Sequence, residues 1–124
     1  MTLAAAFMTV GGIAGTFFSR EVLIMHATEP RRGSVLVVQV AGALYLGFAI
    51  INWMSRGNLM GGIYSRPLAL GNFVYFLNIG LAMGRIAAGD PAASIVVAAI
   101  IHGLFAAAFA YVVFGRSPVP RQRA

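Results

Sequence analysis

The chain has no cysteine and no lysine, and only three acidic residues, Glu21, Glu29 and Asp90. Without cysteine there is no disulfide scaffold, no thiolate metal site and no cysteine nucleophile. The three carboxylates are scattered, so paired-acid chemistry has no candidate. Charged residues of every kind make up 10% of the 124 residues, against about 25% in soluble domains. A soluble domain of this size could not cover itself in water with so few. What is abundant is apolar: hydrophobic residues reach 60%, above the roughly 45–50% of ordinary globular proteins. That content excludes a disordered chain. What remains is a small polytopic membrane protein.

Crossing about 30 Å of hydrocarbon takes roughly 20 helical residues. Four stretches free of charge meet or approach that length, and the spans expected are 3–19, 34–55, 68–85 and 92–114. The runs are continuous rather than alternating, and four strands could not close a barrel, so helices are expected. The fold class predicted is all-α, an integral membrane four-helix bundle. Residues 1–115 read as one four-span domain and 116–124 as a short basic tail. Asp90-Pro91 is placed to cap and open the fourth helix, and Arg66-Pro67 opens the third. No cleavable signal peptide is expected, since the N-terminus lacks a basic region.

Orientation rests on arginine. One side would carry both termini and Arg56, Arg66, Arg116, Arg121 and Arg123; the other carries Arg20, Arg31, Arg32 and Arg85. Five against four favours both termini in the cytoplasm and leaves dual topology open. A bacterial inner membrane is the expected location. Arginine without lysine often accompanies a GC-rich genome. The net charge of +6 comes from arginines at span ends, where lipid phosphates pair with them; nucleic acid is not an expected partner.

Each span carries small residues at close spacing: Gly11 and Gly15, Ala43 and Gly47, Gly80 and Gly84, then Ala99, Gly103 and Ala107. Such pairs let helix backbones approach, and in lipid that packing drives association. They serve the bundle itself, or a homodimer or larger membrane complex.

Polar residues inside the spans are the second signal. Gln39, Asn52, Asn72, Asn78, Arg85 and His102 can be arranged as a three-rung ladder between spans 2, 3 and 4. At 1.5 Å per residue, Asn52 and Asn72 share one level, Asn78 and His102 the midplane, and Gln39 and Arg85 the far side. The structural reading is hydrogen bonding between helices, worth about 0.6 kcal/mol each. The functional reading is a narrow polar path or small-molecule pocket. No acidic residue lies inside a span, which argues against proton-coupled transport. No metal or cofactor site is expected, because His26 is the only histidine partner His102 has and it falls at the opposite boundary.

Two loops have character. Residues 20–26 alternate charge with strong apolarity and predict a short interfacial helix. In the loop 56–67, Arg56, Asn58, Tyr64 and Arg66 among glycines form a candidate headgroup or anion site.

Two resemblances follow from particular residues. Asn52-Trp53-Met54-Ser55-Arg56, Gly61-Gly62-Ile63-Tyr64-Ser65-Arg66-Pro67 and Gly71-Asn72-Phe73 resemble small four-span bacterial inner-membrane proteins. That likeness implies a fold and a location, and no activity. Gly11-Gly12-Ile13-Ala14-Gly15-Thr16, Gln39-Val40-Ala41-Gly42-Ala43 and the pair Phe73 and Phe76 are similar to features of the fluoride channel family. The polar run that breaks that family's third span is absent, and glutamine stands where the family has asparagine.

The function expected is therefore non-enzymatic: an accessory or interaction subunit that packs through small-residue faces. The alternative is a small channel or transporter, dimeric, for an ion or small solute.

Overall fold

The computed structural model describes residues 1–26, 28–57, 65–89 and 92–115. Among them five helices occur and no strand: α1 Thr2–Phe17, α2 Ser19–Met25, α3 Arg32–Met54, α4 Ser65–Gly89 and α5 Ala93–Phe114. Contacts divide the chain into two compact units, Met1–Gly57 and Asn58–Ala124. By length and composition α3, α4 and α5 can each cross a membrane, and α1 with α2 passes the same test as a bent pair.

In the first unit α1 packs on α3, and the contacts run antiparallel. Asn52 reaches Met8, Gly12 faces Leu46 and Gly15 faces Gly42. A Cβ at Gly12 would lie 2.7 Å from Leu46 Cγ, and one at Gly42 would lie 2.6 Å from the Gly15 carbonyl carbon. Only glycine allows backbones this close. Beside this crossing, Ala4, Ala5, Met8 and Ala49 are buried.

The expected first span ends two residues early. Phe18 (φ −120°, ψ 33°) still donates to Ala14 O and accepts from Val22 N, yet its dihedrals turn the axis by 98° into α2. A short helix is thus present where one was expected, beginning at Ser19. At 16 residues α1 is about 24 Å long. Exposed Phe17, Phe18, Ile24 and Met25 surround the bend.

In the second unit α4 packs antiparallel on α5. Phe76, fully buried, stacks on Phe105 and Phe109 at centroid distances of 4.7 and 5.8 Å. Phe73 meets Phe114 edge-on. Gly80 faces Gly103, where a Cβ would stand 3.4 Å from the Gly103 nitrogen. Helix α4 is longer than the expected span, because Ser65, Arg66 and Pro67 at one end and Ile86, Ala87, Ala88 and Gly89 at the other are helical. Proline is tolerated there because the first turn's N–H groups have no intrahelical acceptor. The N-cap of α5 is Ala92, without a side-chain hydrogen bond; Asp90 and Pro91, expected to cap and open it, lie outside the described residues.

Candidate functional site

The six residues of the expected ladder divide by burial. Asn52 and Asn72 are fully buried and His102 nearly so, whereas Gln39, Asn78 and Arg85 are exposed. Within the second unit, Asn78 and His102 sit within one turn of each other along the axis but on different sides. His102 packs against Phe76 at 5.7 Å, while Asn78 stands one residue beyond exposed Leu77.

The polar side chains share one habit. Asn52 Nδ2 donates to Phe48 O at 2.9 Å, Asn72 Nδ2 to Leu68 O at 2.9 Å, and Asn78 Nδ2 to Val74 O at 2.7 Å. His102 Nδ1 lies 2.7 Å from Ala98 O. A carbonyl only accepts, so that nitrogen carries the proton. Thr9 donates likewise to Ala5 O. Each group turns back on its own helix one turn earlier, which removes the cost of an unmet donor in an apolar surrounding. Asn52 also reaches across to Met8 Sδ at 3.8 Å, so it ties α3 to α1. The turn of these side chains toward the i−4 carbonyl was not visible in the sequence, which gives position but not rotamer.

Of the candidate headgroup loop, Asn58 and Tyr64 lie outside the described residues. Arg66 is exposed in the first turn of α4 rather than in a loop. Arg56, just past the end of α3, is held in place: its Nη1 donates to Trp53 O at 2.7 Å, and its guanidinium carbon lies 4.0 Å from the Trp53 ring centroid. Trp53 is half exposed and is the only tryptophan. It lines one end of an open groove between α1 and α3, of about 430 Å³, with Ala5, Ala6, Thr9, Val10, Ala49 and Ile50.

A second open groove, of about 400 Å³, runs between α4 and α5. Phe73, Leu77, Leu81, Ala99, Gly103 and Ala107 are among its lining residues, and none of the lining residues is charged. Among the described residues, no group of three or more His, Cys, Asp or Glu could hold a metal ion.

Comparison with known proteins finds no matching family model, no similar curated protein and no similar solved structure.

Proposed function

We propose that this chain is a non-enzymatic, multi-pass protein of the bacterial inner membrane. Its two helical units form a four-span membrane domain that acts as an accessory or interaction subunit, binding other apolar helices through small-residue faces. The observation that supports this is the set of glycines that packing within each unit leaves open. A Cβ at Gly47, Gly71, Gly84 or Gly103 would meet nothing within 4 Å. Glycine inside a helix costs roughly 0.5–1 kcal/mol relative to alanine. Gly12, Gly15 and Gly42 recover that cost in the contact between α1 and α3; at the other four, the side where a Cβ would stand is open within the unit and admits another backbone. Gly103 lies in the groove of the second unit beside Ala99 and Ala107, which is a surface shaped for a close helix.

The test has two steps. Alkaline carbonate washing is expected to leave the chain with the membrane. Mild-detergent purification from native membranes, followed by mass spectrometry, is then expected to recover it in a stoichiometric complex. Gly103→Leu and Gly84→Leu each release it from that complex while its helix content stays the same. A chain that runs alone and unchanged in both variants overturns the reading.

A further inference from the structure

The groove of the first unit differs from that of the second in having a fixed cation at its end. Trp53 forms its last wall, and the Arg56 guanidinium rests on that same indole at 4.0 Å. The guanidinium is pinned twice by Trp53, through the ring and through the backbone carbonyl. Among the described residues that carbonyl bond uses one of its five N–H donors. Arg56 is exposed, and a guanidinium fork fits phosphate. Below it the lining is alanine and short aliphatic side chains, with the Thr9 hydroxyl already turned to Ala5 O. The groove is thus lined mainly by apolar side chains, and the tryptophan at its end carries a guanidinium.

Position agrees with this division. Helix α3 has 23 residues, about 35 Å, slightly more than the hydrocarbon thickness of about 30 Å. Trp53 and Arg56 are at its end, at the level where tryptophan and arginine meet lipid headgroups.

We infer that the α1–α3 groove with Trp53 and Arg56 is a binding site for one anionic phospholipid. One acyl chain lies along Ala5, Ala6, Val10, Ala49 and Ile50, and the phosphate is held by Arg56 over the Trp53 ring. This inference rests on the membrane reading above. The groove and the cation are needed together: a groove alone would take any apolar chain, and an arginine alone would pair with any passing headgroup.

The single tryptophan makes the test direct. The full chain is reconstituted in neutral phosphatidylcholine vesicles containing increasing fractions of phosphatidylglycerol brominated on its acyl chains. Bromine quenches indole fluorescence on contact. Trp53 quenching is expected to saturate at a brominated fraction well below that of the bulk bilayer. Arg56→Gln should lower the preference for the anionic lipid by about tenfold, the scale of one charge-assisted hydrogen bond. Arg56→Lys should retain part of it. Ala6→Leu, which fills the groove from its exposed side, should abolish saturation with the charge intact. Quenching that simply follows bulk composition in the unsubstituted chain overturns the site. Loss of preference in Arg56→Gln with no effect of Ala6→Leu also overturns it, leaving only a surface charge. A chain that alkaline washing strips from the vesicles overturns the membrane reading itself, which the quenching curve alone would not.

Discussion

In the first unit α1 and α3 touch backbone to backbone, whereas in the second α4 and α5 are joined by rings. A Cβ at Gly42 would fall on the Gly15 and Thr16 backbone, and one at Gly12 on the Leu46 side chain and nitrogen. Between α4 and α5 the described glycines make one approach, of 3.4 Å at Gly80, and beside it Phe76 packs between Phe105, Phe109 and His102. In lipid the hydrophobic effect does not draw helices together, because acyl chains are as apolar as leucine. Each pair must therefore gain its contact from fit. Close backbone packing achieves this with many small dispersion contacts and weak Cα–H···O interactions. Stacked rings achieve it with area and aromatic geometry.

The two solutions should fail differently. Gly42→Leu has the largest expected effect. Its new side chain meets backbone, which cannot rotate away, so α1 and α3 must separate or shift. A loss of about 3 kcal/mol, the upper part of the range for overpacked cores, is expected. Reversible unfolding in mixed detergent micelles would measure it. A loss under about 1 kcal/mol would mean that the crossing yields and that the glycines are not what fixes it. Phe76→Ala comes next. It removes a ring and leaves a void, and the transfer part of the usual cost is absent in lipid. The cavity part alone predicts a loss of about 2 kcal/mol in the same assay. Phe76→Leu should recover part of that loss, whereas no substitution at Gly42, alanine included, should be tolerated.

Much of this arrangement could be read from the residues. The four charge-free runs locate α1, α3, α4 and α5, because an uncompensated charge inside hydrocarbon is costly. The same criterion misplaced the ends of α4, since Arg66 and Arg85 stop an apolar run without stopping a helix. The break at Phe18 has no proline or glycine to announce it and follows from one residue's dihedrals. The rule of small residues four apart singled out Gly11 and Gly15. The tight contacts are at Gly12, Gly15 and Gly42, while a Cβ at Gly11 would only brush the Tyr45 ring at 3.2 Å. Spacing names a face of one helix; which member of that face meets the partner depends on the crossing. For the polar residues, the ladder took in both Asn72 and Asn78, yet Asn72 is buried and Asn78 exposed. Depth along the axis does not decide burial. Arg56 was picked out as part of an anion loop, but its pairing with Trp53 and with a groove required side-chain geometry.

The smallest expected effect lies with the glycines that packing within each unit leaves open. Gly47 belongs to the first unit and Gly84 to the second, and a Cβ at either has open space. Alanine there should raise helix stability by up to about 1 kcal/mol in the isolated chain, by lowering the freedom lost on folding. Within a complex the sign should reverse, because the added methyl keeps a neighbouring backbone away. The unfolding assay gives the first number and the yield of intact complex after mild-detergent purification gives the second. Opposite signs would mean that these positions are kept as glycine for a partner's approach. A gain in both would remove the reason to place a partner helix there, and the two units would then differ only in how they pack internally.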